Sequence, residues 1–119
     1  MGIETRLSDE ITRYLDLAVS EAKLTAANMA NIDTPGYRAM GMDFEAEMRE
    51  AIADVDQGRA PRHVRVREVD GLVSRPDGND VSVDREGLNL AEAQLKFKTG
   101  IALLHEEYQR VMDAIHADK

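Results

Sequence analysis

The sequence predicts a mainly α-helical protein in which long N- and C-terminal helices pair as an antiparallel-type coiled coil around a small irregular middle zone. Three observations predict this class. Apolar residues recur at alternating spacings of three and four near both ends of the 119-residue chain. All three prolines and five of the eight glycines fall between those two patterns. Aromatic residues make up only 4% of a chain that is 43% hydrophobic, so Leu, Ile, Ala and Met have to build the core.

The N-terminal unit, residues 1–33, is expected to hold a helix over about residues 5–31. Ser8 is a candidate cap of its first turn, and the alternative is that residues 2–7 are also helical. Its stripe of apolar and small residues consists of Ile11, Leu15, Ala18, Ala22, Thr25, Met29 and Ile32. Because small residues dominate the second half of the stripe, another helix can approach closely there. The residue before Pro35 is pushed out of the α region, and Gly36 supplies the positive φ of a type II turn, so the helix ends here.

Two amide side chains, Asn28 and Asn31, lie one turn apart on one face of this helix. Helix interiors disfavour Asn, so the pair is either a polar helix end or a set of groups that need partners. We predict that both amides form hydrogen bonds across a subunit boundary, while Thr34, Pro35 and Gly36 turn the chain outward.

The middle zone, residues 34–86, has few large apolar residues, and we expect it to be partly disordered alone and ordered by neighbours. Asp43 can cap a short amphipathic helix, whose acidic residues are expected on its solvated face. These are Glu45, Glu47, Glu50, Asp54 and Asp56. The alternation of Val64–Arg67 predicts a short strand, and Val81 and Val83 are expected in an extended piece.

The C-terminal unit, residues 87–119, is expected to hold a helix over about residues 88–116. Its apolar stripe consists of Leu90, Phe97, Ile101, Leu104, Tyr108, Val111 and Ile115. Gly100 lies inside this helix and is a candidate for a close crossing point. Two long helices each cover one side of the other, so the remaining apolar surface is expected to invite neighbours.

Catalysis is not expected. His63, His105 and His116 lack the spacing of a zinc site, and the loop Asp77–Val81 does not match a calcium loop because Val81 stands where a ligand belongs. We therefore expect no cofactor and no bound metal. The net charge of −8 has the wrong sign for nucleic acid or anionic lipid, so the partners should be proteins. No segment is a candidate membrane span or secretory signal peptide.

Three stretches resemble the proximal rod proteins of the bacterial flagellar basal body, within the flagellar axial family of rod and hook proteins. Asn28–Arg38 matches the axial signature N-x-A-N-x-x-T-P-G-Y. Met42–Glu45 lies where the family has an I/V-D-F patch. Asp77–Glu86, followed by Leu90–Glu92, resembles the run D-G-N-x-V-x-x-D-x-E-x-x-x-L-A-E of this branch. The likeness spans nearly the whole chain.

The resemblance implies a structural subunit of the periplasmic rod, without catalytic activity, that leaves the cell through the flagellar type III export apparatus without a cleaved signal peptide. Its implied partners are other copies of itself, other rod proteins, and the rod-base adapter and export-gate proteins near the membrane-supramembrane ring.

Two sets of site residues follow from the resemblance together with the patterns. The candidate subunit interface consists of Asn28, Asn31, Thr34, Pro35, Gly36, Tyr37 and Phe44. The candidate helix seam consists of Ile11, Leu15, Ala18, Ala22, Met29, Leu90, Phe97, Ile101, Leu104, Tyr108, Val111 and Ile115. Two alternatives stay open: a sister short rod protein of the same axial family, and a soluble cytoplasmic coiled-coil adaptor.

Overall fold

The computed structural model describes residues 4–117, and within them the chain forms three helices and two short strands. In chain order these are α1 (Arg6–Ala30), β1 (Met40–Gly41), α2 (Phe44–Asp56), β2 (Arg67–Glu68) and α3 (Val83–His116). The long terminal helices α1 and α3 pack against each other, and α2 packs against α1. The predicted mainly α class, with a short helix and short strands in the middle, is confirmed.

The two long helices run antiparallel. The Thr5 hydroxyl, at the start of α1, donates to Glu107 near the end of α3. Asn28, near the end of α1, donates to Glu86 in the first turn of α3. Because α3 has 34 residues and α1 has 25, residues 108–116 of α3 continue past the start of α1. The molecule is accordingly elongated, with dimensions of 69 × 26 × 20 Å.

The N-cap of α1 lies three residues before the predicted cap. Thr5 is the N-cap, and its hydroxyl accepts the Ser8 N–H at 3.0 Å. The Ser8 hydroxyl accepts the Thr5 N–H at 2.8 Å, which completes a capping box. The prediction of Ser8 as the cap was therefore wrong, because Ser8 is the N3 partner of an earlier cap.

The helix α3 begins five residues earlier than predicted. Ser82 is its N-cap and accepts the Arg85 N–H, so Val83 is the first helical residue and not part of an extended piece. Asp84 and Glu86 lie in the first turn, where the helix dipole favours negative charge. The cap and the acidic turn together decide the start of this helix.

The two strands form an antiparallel pair, in which Met40 lies opposite Glu68 and Gly41 lies opposite Arg67. The strand predicted at Val64–Arg67 lies three residues further along, at β2. Its partner β1 follows the turn after α1, and it was not predicted because two residues are too short to show a period. The pair holds the connection after α1 against the segment after α2.

The predicted cap of α2 is confirmed, since the Asp43 carboxylate accepts the Ala46 N–H at 3.0 Å. Phe44, predicted at a subunit interface, is half-buried inside the chain. Its ring meets Tyr14 of α1 edge to face at 5.6 Å between centroids. The Lys96 ammonium of α3 lies 3.8 Å above the same ring and also bonds to Glu21 at 3.0 Å. Phe44 thus joins all three helices, and its contact with a neighbouring subunit stays a prediction.

The residues of α3 that are buried against α1 lie to one side of the predicted apolar stripe of α3. The buried residues of α3 repeat every seven positions and are Glu86, Ala93, Gly100 and Glu107. On α1 the predicted residues Ile11, Leu15 and Ala18 are buried. By contrast, the larger α3 side chains Phe97, Ile101 and Ile115 are 41%, 47% and 47% exposed. The remaining seam residues are partly buried: Ala22, Met29, Leu90, Leu104, Tyr108 and Val111.

Candidate assembly site

The two signature segments, which lie far apart in the sequence, meet at one end of the molecule. The segment 28–40 carries the end of α1 and its turn, and the segment 75–86 carries the loop that leads into α3. Their contact fixes where the chain leaves α1 and enters α3. This junction is the candidate assembly site.

Asn28 is the centre of the junction and is only 1% exposed. Its amide nitrogen donates to the Met40 carbonyl at 2.9 Å and to a Glu86 carboxylate oxygen at 2.8 Å. Its oxygen accepts the Met40 N–H at 3.0 Å and the Tyr37 hydroxyl at 3.2 Å. All four hydrogen-bonding positions of this amide are therefore used inside the chain. The predicted hydrogen bond from Asn28 across a subunit boundary is corrected on this ground, whereas the contact of Tyr37 with another subunit stays a prediction.

The turn after α1 forms as the sequence predicts. The Tyr37 N–H donates to the Thr34 carbonyl at 3.1 Å, and Gly36 has a φ of +76°. This is the geometry of a type II turn with Pro35 at its second position. Asn31 bonds locally, since its amide nitrogen donates to the Ala27 carbonyl and its oxygen accepts the Thr34 hydroxyl.

Asn79 closes the end of α1 from across the junction. It is fully buried, and its amide nitrogen contacts the carbonyl oxygens of Asn31, Ile32 and Thr34 at 2.9, 3.0 and 2.9 Å. Its oxygen accepts the Val81 N–H at 2.8 Å. These carbonyls belong to the C-cap residue of α1 and to the turn that follows it, so Asn79 supplies a donor to backbone groups that lie beyond the hydrogen bonds of the helix. The D-G-N run at residues 77–79 was the signal for this residue in the sequence, although Asn79 was not among the predicted site residues.

Asp80 ties the same loop to the chain beyond the turn. Its buried carboxylate accepts the Ala39 N–H at 2.6 Å and the Arg38 Nε–H at 3.1 Å. Nearby, the Gly36 N–H donates to the Asp77 carbonyl at 2.8 Å. Two stretches of backbone meet here, since a Cβ added to Gly78 would lie 3.4 Å from the Gly36 Cα.

The junction consists of polar groups that satisfy one another. In residues 4–117, every fully buried side-chain nitrogen and oxygen has a hydrogen-bond partner. Within the same range no three His, Cys, Asp or Glu side chains lie close enough together to hold a metal ion. A search of the described helices finds none with the length and hydropathy of a membrane span. The arrangement is suited to holding two chain segments in a fixed geometry.

Comparison with known proteins places the sequence in a family. The flagellar basal body rod protein FlgB of Yersinia ruckeri is 30% identical, over 85% of this chain and 87% of its own length. The chain belongs to the FlgB family. The FlgB protein of Salmonella typhimurium is likewise 30% identical over 85% of this chain and 86% of its own, and that of Escherichia coli is 25% identical over 87% and 88%. No protein-family model matches the chain.

The acidic residues of α2 were predicted to face solvent, and for two of them this prediction was wrong. Glu47 and Asp54 are buried instead of solvated. The Asp54 carboxylate accepts two bonds from Arg62, both at 3.0 Å, and pairs with Arg59 at 3.0 Å. Arg65 pairs with Glu47 at 2.9 Å. The segment 59–65 therefore lies against α2 through its arginines, which the charge run alone did not reveal.

Two buried carboxyls have lowered pKa values. Hydrogen bonds from Arg62 hold the pKa of Asp54 below its usual value, and the nearby positive charges add to this effect against the opposing effect of burial. Hydrogen bonds from Arg110, and then from the Thr5 hydroxyl, lower the pKa of Glu107. Both carboxyls favour the charged form in the folded chain.

Acid should therefore destabilise the chain through these two groups. The unfolded state binds protons at Asp54 and Glu107 more readily than the folded state, so their contribution is present above the unfolded pKa values and is lost as the pH falls below about 4. Thermal unfolding followed by circular dichroism, from neutral pH to about pH 3, measures this loss. Asp54→Asn and Glu107→Gln should flatten the pH dependence, whereas Glu92→Gln, at an exposed position of α3, should leave it as steep as before. An equal acid response in all three variants would contradict this assignment.

Proposed function

We propose that this chain is a structural subunit of the bacterial flagellar rod and has no enzymatic activity. In this role it polymerises with copies of itself and with other rod proteins in the periplasmic part of the basal body, and it helps to transmit torque. Membership of the FlgB family supports the assignment, because the relatives are flagellar basal body rod proteins. The units 1–33 and 87–119 would supply the axial helices, and residues 34–86 would connect them.

The observation that carries this proposal is the apolar surface of α3. Its large exposed apolar residues lie on several sides of the helix and are Val83, Leu88, Leu95, Phe97, Ile101, Leu103, Met112 and Ile115. A helix with apolar residues on most of its sides is normally buried. One partner helix, α1, covers only one side, so the surface supports packing against neighbouring subunits.

The junction supports the same role. It fixes the direction in which the chain leaves α1, and it leaves Thr34, Pro35 and Gly36 exposed at the end of the molecule. We propose these residues and the partly exposed Asn31 as contacts to a neighbouring subunit. We further propose export through the flagellar type III apparatus, and contacts with the rod-base adapter and export gate near the membrane-supramembrane ring.

Replacing a surface residue tests assembly without disturbing the fold. Ile101 is half exposed, so Ile101→Asp should leave thermal unfolding of the purified chain nearly unchanged. In the bacterium that encodes the chain, the same variant should abolish motility and remove the protein from isolated basal bodies, because the new charge would be buried between subunits.

Thr99→Asp places the same charge at an exposed polar position of α3 and is the matched control. Cells with this variant should assemble rods and swim. Absence of the unmodified chain from basal bodies would overturn the proposed function, and normal swimming with Ile101→Asp would overturn the role of this surface.

A further inference from the structure

An open groove of about 570 Å³ runs along one side of the α1–α3 pair. Its apolar lining includes Ala18, Ala22, Ala26, Leu90, Ala93 and Phe97. The helix α2 packs on the other side, where Lys96 lies over Phe44, so it leaves the groove uncovered. Alanines line the α1 side, and they make room for a third helix to approach closely.

A second apolar surface lies at the far end of α3, on residues 108–116, which extend past the start of α1. Four side chains on one face of this segment follow the spacing i, i+3, i+4 and i+7. They are Tyr108, Val111, Met112 and Ile115. This is the pattern by which an amphipathic helix anchors itself in an apolar groove. Met112 is 37% exposed, so residues 4–117 leave part of this face uncovered.

We propose that the C-terminal segment 108–116 of one copy occupies the α1–α3 groove of a second copy. The lengths agree, because the groove spans nine helical residues on each wall, about 12 Å from first to last, and the four anchors span about 10 Å. The charges do not oppose this contact. The charged residues of the lining are Lys23 and Lys98, whereas the four anchors are uncharged and the Arg110 guanidinium is paired with Glu107 of its own chain.

The two surfaces are different parts of the same chain, so the contact is head-to-tail. A head-to-tail contact leaves one free groove and one free C-terminal segment after each addition, and it can extend into a ring or a helical filament. The inference rests on the proposed rod function and specifies which surfaces of two copies meet. A partner of another kind in the groove is an alternative outcome that the test separates.

Cysteine cross-linking tests this contact cleanly because the chain contains no cysteine. Ala22→Cys lies in the middle of the groove and Met112→Cys in the middle of the anchor face, so the pair is informative whichever way the segment lies. In cells whose only copy carries both changes, a short bis-maleimide should produce dimers and longer products in isolated basal bodies. Asp113→Cys, on the opposite face of the segment, replaces Met112→Cys in the matched control and should give no such products.

The outcomes separate the two proposals. Basal bodies that contain the doubly substituted chain but show no cross-linked products would overturn the docking proposal and leave the rod function standing. Dimers formed by Met112→Cys alone would also overturn it, because they would mean that the two C-terminal segments meet each other. A cross-link from Ala22→Cys to a different protein would assign the groove to that partner instead. Absence of the unmodified chain from basal bodies would overturn the rod function itself.

Discussion

Replacing Asn28 by Leu should destabilise the isolated chain by about 3 kcal/mol or more, since several buried groups lose a hydrogen bond at once. The Met40 N–H and carbonyl, the Tyr37 hydroxyl and one oxygen of Glu86 all bond to this amide. Leu restores none of these bonds. The free energy of unfolding of a domain of this size is roughly 5–15 kcal/mol, so the loss should markedly lower the urea concentration at the midpoint of unfolding. Urea unfolding followed by circular dichroism measures it.

The neighbouring amide provides the matched control. Asn31 lies one turn further along α1, is partly exposed, and its side chain bonds only to Ala27 and Thr34. Asn31→Leu should therefore change the free energy of unfolding by less than about 1 kcal/mol. Equal losses in the two variants would contradict the central role of Asn28 in the junction.

A third substitution separates hydrogen bonding from shape. Asn28→Asp preserves the size of the side chain but replaces the donor nitrogen by an oxygen that faces Glu86. Two facing carboxylates repel each other, so this variant should lose at least as much stability as Asn28→Leu at neutral pH.

The ends of α1 illustrate what the sequence could and could not predict. Its C-terminal end depends on Pro35 and Gly36, which act locally, so the turn was predictable from four residues. The group that closes this end, Asn79, lies about 45 residues away in the sequence, and periodicity carries no information about such a partner. The resemblance singled out both segments, yet only the structure joins them.

The packing of α3 was predicted less well for a different reason. Ranking positions by apolar size selects Phe97 and Ile101, whereas the line that meets α1 passes through Ala93 and Gly100. Close packing of helices depends on small residues as much as on large ones. Phe97 and Ile101 lie beside the contact with α1 and stay partly exposed, so a neighbouring subunit could cover them. The apolar stripe that did not predict the contact with α1 is therefore relevant to assembly.

The prediction that the acidic residues of α2 face solvent was wrong for two of them, because a sequence does not show whether a carboxylate is solvated or paired with a distant arginine. A run of carboxylates is usually solvated, but Asp54 and Glu47 have arginine partners in the segment 59–65. Those arginines precede and follow a proline, in a stretch with no helical period. Pairing across such a segment depends on tertiary geometry, which a charge pattern cannot supply.

Gly100 and Gly87 lie in the same helix, and we expect the same substitution to have opposite effects at the two positions. A Cβ added at Gly100 would lie 2.5 Å from the Leu15 Cδ2 and 3.2 Å from Tyr14, whereas one added at Gly87 has nothing within 4 Å. Gly87→Leu should therefore stabilise the chain by up to about 1 kcal/mol through helix propensity. Gly100→Leu should destabilise it by about 3 kcal/mol, because the helices have to move apart.

A size exchange across the contact tests whether the two helices meet where the structure places them. Leu15→Ala alone should cost about 2–5 kcal/mol, since it removes a buried side chain of α1. When it is combined with Gly100→Leu, the new side chain of α3 can fill the space that Leu15 leaves. The double variant should then be more stable than the sum of the two single losses predicts, by about 1 kcal/mol or more in a double-mutant cycle of urea unfolding. Strict additivity would mean that the two positions do not touch, and the antiparallel register that places Gly100 against Leu15 would have to be abandoned.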